Sequence, residues 1–340
     1  MPPVPTPRGP LSEALLAALS QAPGSLEAPI EISVGADALA DGDLQLALYA
    51  CYELHYRGLD GVDDRWEWDP GLLAFRARLE AVFEDALHAA LAGWTPPPAD
   101  ASTMDLALRA IADADVSPSL SRHLERHGTL AEFKEVVVHR SAYQLKEADP
   151  HSWAIPRLSG PPKAALLEIQ ADEYGGGDAA RMHATLFADT MDELGLDTAY
   201  GAYLDRLPGV TLATVNLMSL LGLHRRHRGA IVGHLALFEM TSSIPNRRYA
   251  TALRRLGVRA ARATEFYDEH VTADAVHENV AAVDLAGGLV RREPALRDDI
   301  LWGARALVEV EARWAAALLA AWRHGRSSLR PPVEADAVAA

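Results

Sequence analysis

The sequence contains a single cysteine, Cys51, among its 340 residues. One thiol cannot form an internal disulfide or a thiolate metal cluster. A metal bound by this chain would therefore have to be held by imidazole and carboxylate groups. The scarcity of cysteine also suits a reducing compartment, and we expect a cytoplasmic protein.

The sequence is also poor in basic residues and in long apolar runs. It has 32 Lys and Arg residues against 47 Asp and Glu, a formal net charge of -15. Nucleic-acid binding depends on clustered lysine and arginine, so we expect no nucleic-acid partner. No segment approaches eighteen uncharged apolar residues, and the N terminus lacks the cationic start of a signal peptide. We therefore expect a soluble protein without a membrane partner.

Strand signals are weak. The stretch "APIEISVG" at 28–35 alternates in polarity, but an isolated strand has no sheet to join. Elsewhere the chain is rich in Ala, Leu, Arg and Glu, and apolar residues return every three or four positions, which indicates helices. We predict an all-α protein, with Asp43 capping the first of these helices: 41–57, 70–93, 103–114, 118–127, 130–148, 161–174, 178–194, 208–223, 226–241, 246–256, 259–282 and 296–325.

Prolines suggest how the chain is divided. The segment "WTPPPAD" at 94–100 is a stiff linker. About seventy residues with few large apolar groups would be marginally stable alone, so the region before this linker is expected to pack on the rest. We predict a proline-rich tail at 1–25, an N-terminal helical region at 26–97, the main helical bundle at 98–328 and a disordered tail at 329–340.

One predicted helix carries two imidazoles and a carboxylate. The stretch "FYDEHVTADAVHENVAAVDL" at 266–285 contains His270, Asp274 and His277. At 100° per residue, their side chains leave the helix within a wedge of about 60° and can converge on one point. The residues between them are largely apolar, and a buried charge needs a partner such as a cation. A solvated helix face with a His–Asp hydrogen bond is the alternative interpretation.

Further metal-ligand types occur on other predicted helices. Glu239 interrupts the apolar run "GHLALFEMTSS", and buried glutamate is rare unless it is paired or bound to a metal. In helical bundles, carboxylates and imidazoles from facing helices build dinuclear sites, and such ligands suit iron or manganese. The segment 166–187 offers Glu168, Asp172, Glu173 and His183.

The order Glu173, His183, Glu239 and then His270-x3-Asp274-x2-His277 resembles the ligand order of the heme-oxygenase-like diiron oxidases and oxygenases, the iron-containing redox enzymes. The resemblance covers roughly residues 100 to 325. It implies an up-and-down helical bundle of the heme-oxygenase type, here with extra N-terminal helices. It also implies two Fe(II) ions per chain, with manganese possible, held by these six residues.

The same resemblance implies a function. Members of this family use O2 to oxidise small organic molecules, so we expect N-oxygenation of an amine or amino acid, or oxidative C–C cleavage. The implied partners are a small-molecule substrate and O2, with an external reductant and a homodimer left open. Two alternatives remain: a manganese-iron oxidase of the same fold that processes itself, and a non-catalytic helical binding protein.

The proposed ligand set places a condition on the backbone. On a straight helix, Glu173 and His183 would point about 80° apart, so they converge only if the glycines at 175–177 break or bulge the helix. Glu168 is the alternative carboxylate. The acids Asp172, Glu265 and Asp268 are candidates to orient the imidazoles.

Two other groups of histidines have simpler interpretations. Glu53 and His55 point to opposite sides of a helix, so we expect buried polar contacts there and no shared ion. His224 and His227 lie beside three arginines, which favours a basic surface turn over a site for a substrate carboxylate.

Overall fold

The computed structural model describes residues 1–26 and 30–332, apart from the side chains of residues 274–276. All regular secondary structure in these residues is helical, which confirms the predicted class. None of the helices in the described part combines the length and apolarity needed to cross a bilayer. The α-helices are α1 (Pro10–Leu19), α2 (Gly42–Glu53), α3 (Pro70–Ala90), α4 (Met104–Asp113), α5 (Leu120–Arg126), α6 (Leu130–Gln144), α7 (Asp149–Ser152), α8 (Pro161–Glu173), α9 (His183–Glu193), α10 (Gly209–Leu223), α11 (Arg228–Arg255), α12 (Arg262–Asn279), α13 (Gly288–Arg292) and α14 (Arg297–Arg323).

Helix α11 lies at the centre of the bundle and packs along both α12 and α14. Two glycines let its backbone touch that of α14. A β-carbon on Gly233 would lie 1.8 Å from the carbonyl oxygen of Ile300, and one on Gly303 would lie 2.0 Å from that of Ala230. Because no side chain fits between the two backbones, the crossing fixes the position of α11 and hence of Glu239, less than two turns beyond Gly233.

The prediction of two separate helices at 226–241 and 246–256 was wrong, because α11 spans both. It continues through Pro245, a residue that lacks an N–H group and normally ends or kinks a helix. Met240 on one side of the proline and Asn246 on the other are both buried. Packing of the helix on both sides therefore overrides the local preference for a break.

The predicted helix 259–282 begins at Arg262 and continues past its predicted end. After Asn279 the chain forms a π-helix, Val280–Gly287, and then α13. π-Helical segments are rare and occur frequently at functional sites. This one begins three residues after His277.

The N-terminal helices share one hydrophobic core with the bundle, since buried side chains of α1, α2 and α3 cluster with those of α10, α11 and α14. Asp41, rather than the predicted Asp43, caps α2. The Asp43 carboxylate instead accepts hydrogen bonds from the backbone N–H groups of Leu11 and Ser12, so it caps α1. Side-chain capping thus joins two helices that are distant in sequence.

The two segments predicted without a regular helix are described only in part. Residues 30–35 of the alternating stretch have no regular structure, and residues 28 and 29 lie outside the described residues. At the C terminus, the backbone N–H of Arg330 donates to the carbonyl oxygen of Arg206 at 2.8 Å. Residues 333–340 of the predicted tail also lie outside the described part of the chain.

Candidate metal centre

A run of three glycines brings Glu173 and His183 together. Glu173 is the last residue of α8 and His183 is the first of α9. Gly175, Gly176 and Gly177 have φ angles of 68°, 62° and 89°, a region that favours glycine. The helix therefore breaks, as the predicted ligand set requires. His183 Nδ1 lies 3.0 Å from Glu173 Oε2.

Four buried side chains form a first donor group: Glu147, Glu173, His183 and His270. One ligand atom of each lies within 4.8 Å of the others. The Nδ1 of His270 contacts the carbonyl oxygen of Phe266 at 2.7 Å. Since a carbonyl only accepts, this nitrogen carries the proton, and the Nε2 atom faces Glu147 Oε1 at 3.6 Å.

Three buried side chains form a second donor group: Glu173, Glu239 and His277. His277 Nδ1 lies 3.4 Å from Glu239 Oε2. On its other side, His277 Nε2 lies 2.9 Å from Asp172 Oδ2, and the Asp172 side chain is 61% exposed. Asp172 therefore orients this imidazole from the solvent side, one of the roles considered for it.

The other two candidate orienting acids lie elsewhere. Glu265 is exposed. Asp268 accepts hydrogen bonds from Arg254 and from Thr264 Oγ1. Among the three acids considered, only Asp172 contacts a donor imidazole in the described structure.

Glu173 belongs to both donor groups, so its carboxylate lies between the other members of the first group and those of the second. Burial alone would raise the pKa of Glu173, but the imidazoles of His183, His270 and His277 outweigh it and lower that pKa to about 2. Burial would lower the pKa of His277, yet the surrounding carboxylates raise it to about 9. The carboxylates at this place thus favour positive charge beside them.

Unsatisfied atoms show that the donor set fits a metal. Glu147 Oε2, Glu173 Oε2, His183 Nδ1 and His277 Nδ1 are buried and make no well-directed hydrogen bond to the described residues, although His183 Nδ1 and Glu173 Oε2 lie only 3.0 Å apart. Buried polar atoms nearly always make such a bond, and a cation between these four atoms would give each of them a partner. Oxygen and imidazole donors together suit iron or manganese. The site therefore fits such an ion.

The structure brings together five of the six residues predicted as ligands: Glu173, His183, Glu239, His270 and His277. The side chain of the sixth, Asp274, lies outside the described residues. Glu168, the alternative carboxylate, is exposed and belongs to neither donor group of the described chain.

Sequence reasoning missed Glu147, which lies in the short segment between α6 and α7. One signal could have found it. His139, Tyr143 and Glu147 are buried and follow one another at intervals of four residues, the spacing of one helix face. Tyr143 itself is buried, with its ring edge-on to that of Phe238 at 5.8 Å. Burial and the nearby carboxylates, with that of Glu147 first, raise the pKa of Tyr143 well above its usual range, so its phenol stays neutral.

The remaining polar residues make separate contacts. Glu53 accepts a hydrogen bond from Lys146 Nζ and His55 contacts Glu67, so the two form buried polar contacts with different partners, as expected.

The turn that carries His224 and His227 pairs with helix α3. His224 Nε2 lies 3.0 Å from Glu80 Oε1, and His227 Nε2 lies 2.9 Å from Glu84 Oε1. Both imidazoles thus contact glutamates of the same chain, and His227 is buried rather than at the surface.

Comparison with known proteins agrees with this geometry. The model of the family described as iron-containing redox enzymes matches residues 134–312, more than half of the chain. Both donor groups, including Glu147, fall within the match. A search of curated proteins finds no match to this chain. Given the family match and the all-α bundle of the heme-oxygenase type, the chain belongs to the iron-containing redox enzyme family.

Proposed function

We propose that the protein is a non-heme diiron oxidoreductase that uses O2 to oxidise a small organic molecule. The observation that carries the proposal is the pair of buried donor groups that share Glu173. Glu147, His183 and His270 would hold one ion with it, and Glu239 and His277 would hold the other. Asp274 remains a predicted further ligand.

The donor types favour two ions over a heme. Heme iron takes one or two axial ligands from the protein, because the porphyrin supplies the others. Glu147, Glu173 and Glu239 are all buried at the centre, and a porphyrin would leave their carboxylates without partners. Two cations would neutralise these charges and bind the unsatisfied oxygen and nitrogen atoms.

The protein's own residues prepare the site for oxidation chemistry. Ferrous ions, when bound, would supply the electrons that O2 accepts. Asp172 accepts a hydrogen bond from the Nε2–H group of His277 and so keeps the Nδ1 atom directed toward Glu239. Burial of the donor side chains excludes bulk water from the reacting atoms. The phenol of Tyr143 stays neutral, because burial and then the charges of Glu147, Glu173 and Glu239 raise its pKa.

We expect the substrate to be an amine or amino acid that is N-oxygenated, or a compound cleaved at a C–C bond, with an external reductant where the electron balance requires one. A second candidate is a manganese-iron oxidase that processes its own side chains. Tyr143 favours this second candidate, since its phenol is a buried oxidisable group on which the charges of Glu147, Glu173 and Glu239 act. Intact-mass measurement after turnover separates the two functions, because only self-processing changes the mass of the chain.

The test begins with anaerobic loading of the purified protein with Fe(II), followed by elemental analysis and measurement of O2 uptake. We expect two iron ions per chain and O2 consumption that E173Q abolishes. A panel of lysine, arginine, aminobenzoate and fatty acids, followed by mass spectrometry, identifies the substrate class. Binding of hemin in place of iron, or no binding of iron or manganese at all, would overturn the proposal.

A further inference from the structure

Glu147 is the one member of the first donor group that lies outside a regular α-helix. It stands in residues 145–148, between the end of α6 and the start of α7. Glu173, His183 and His270 take their positions from α8, α9 and α12. A ligand in a connecting segment keeps its geometry only if other contacts fix that segment, since metal affinity depends on the placement of each donor.

Side chains from elsewhere hold the residues on both sides of Glu147. Lys146 Nζ donates to Glu53 Oε2 at 2.8 Å. The Arg57 guanidinium donates to the carbonyl oxygen of Leu145 at 2.8 Å. On the other side, Gln170 Nε2 donates to the carbonyl oxygen of Ala148 at 2.9 Å. The segment is therefore held by side-chain contacts immediately before and immediately after Glu147.

The contact between Glu53 and Lys146 is fully enclosed. Their side chains are 0% and 1% exposed. Tyr200 donates a second hydrogen bond to Glu53 Oε2 at 2.6 Å, and Lys146 Nζ lies 4.0 Å from the centre of the Tyr56 ring. A buried ion pair often contributes no more stability than an apolar pair of the same size. Its directional contacts instead select one arrangement of the segment.

We propose that Glu53, through Lys146, is a positioning residue for Glu147 and thus for one of the two metal sites. Glu53 and Arg57 lie before residue 134, where the family match begins. The N-terminal region would in this way complete the metal centre from outside the matched segment. The inference rests on the proposed metal centre, and it concerns one ion alone because Glu147 belongs only to the first donor group.

The experiment measures Mn(II) binding to the full-length protein by equilibrium dialysis and electron paramagnetic resonance. Wild-type protein should bind two ions per chain and give the signal of a magnetically coupled pair. E53Q should weaken one site by about 10-fold, the lower end of the effect of removing a group bonded directly to a ligand, because Glu53 acts through Lys146, and it should leave the other site unchanged. The coupled signal should then give way to that of an isolated Mn(II) ion.

Three further variants separate positioning from stability. E53Q leaves the Lys146 ammonium buried without its partner, so E53L/K146M removes both charges and should fold stably while still losing tight binding at one site. D172N should weaken the other site, because Asp172 contacts His277. E84Q, which disturbs an ion pair with Arg226 outside the centre, should bind both ions normally.

The outcomes are distinguishable. Wild-type protein that binds no Mn(II) or Fe(II) would overturn the proposed metal centre itself. Two sites in wild type with unchanged affinities in E53Q and E53L/K146M would refute the positioning role alone. Equal weakening of both sites in E53L/K146M would also refute it, because Glu53 would then act on the fold as a whole.

Discussion

Because Glu173 belongs to both donor groups, its removal should have a different effect from removal of any other carboxylate at the centre. We compare E173Q with E147Q and E239Q, each of which keeps the shape of the side chain and removes its charge. E147Q affects only the first group, and E239Q affects only the second. We therefore expect two, one or no tightly bound ions, depending on the variant.

The magnitude follows from binding to the folded state alone. One ion at a hundredfold excess over its Kd stabilises the fold by about 2.7 kcal/mol, so two sites together give about 5 kcal/mol. For a chain of this size, 1 kcal/mol shifts Tm by about 2 °C. Metal should raise the Tm of wild type by about 10 °C, that of E147Q and E239Q by about 5 °C, and that of E173Q hardly at all.

A second prediction concerns the stability of the metal-free proteins. The pKa of Glu173 is lowered to about 2 by its imidazole neighbours, so its stabilising charge is present above the unfolded pKa near 4.5 and is lost as the pH falls toward 2. At pH 7, metal-free E173Q should thus melt below metal-free wild type. Calorimetry with and without Mn(II) or anaerobic Fe(II) measures all four proteins. If metal raised the Tm of E173Q as much as that of wild type, the shared role of the Glu173 carboxylate would be refuted.

Three further predictions concern the rest of the fold. Burial lowers the pKa of His139 to about 3. Its contribution to stability is therefore present above the unfolded pKa near 6.5 and is lost as the pH falls toward 3. At pH 5 the free energy of unfolding should have decreased by about 2 kcal/mol on this account. Urea unfolding at pH 5 and 7 should show a smaller loss in H139Q, and equal losses would contradict this. G303A should destabilise the fold by about 3 kcal/mol or more, since its β-carbon would lie 2.0 Å from the carbonyl oxygen of Ala230. The matched control is G288A, whose β-carbon would lie 3.4 Å from its nearest neighbour. It should change stability by less than about 1 kcal/mol in the same assay. Burial raises the pKa of Cys51 to about 12, so iodoacetamide at pH 8 should leave the native protein unmodified by intact mass and alkylate it in urea; rapid native alkylation would contradict the buried position.

Helix positions were predictable where local chemistry marks both ends. The predicted helix 161–174 corresponds to α8, which starts at Pro161 and ends just before the glycine run. The predicted helix 208–223 corresponds to α10, Gly209–Leu223. Prediction failed where distant packing decides the outcome. Pro245 signals a break that does not occur, because the helix around it is held by α12 and α14.

The residues of the candidate site likewise differ in how well local sequence patterns predict them. Residues that share a helix face, such as His270 and His277, can be grouped from periodicity, and Glu239 stands out as a charge in an apolar run. Glu147 gives a weaker signal because it follows the end of α6. The neighbouring Lys146 is bound to Glu53 across 93 residues of sequence, and no local pattern encodes such a contact.

The glycine run shows how a backbone feature can be a requirement of the site itself. A β-carbon on Gly175 would lie 2.6 Å from the backbone nitrogen of Met182, so a larger residue there would push α9 away from α8. His183 begins α9, and its contact with Glu173 at 3.0 Å depends on this close approach. Positive φ angles at all three glycines let the chain reverse over a short distance. On one straight helix, Glu173 and His183 would point apart. The glycine run lets these two predicted ligands face a common point. The same break leaves Glu173 at the end of α8, where its carboxylate reaches donors from α9, α11 and α12 and joins the two groups into one centre.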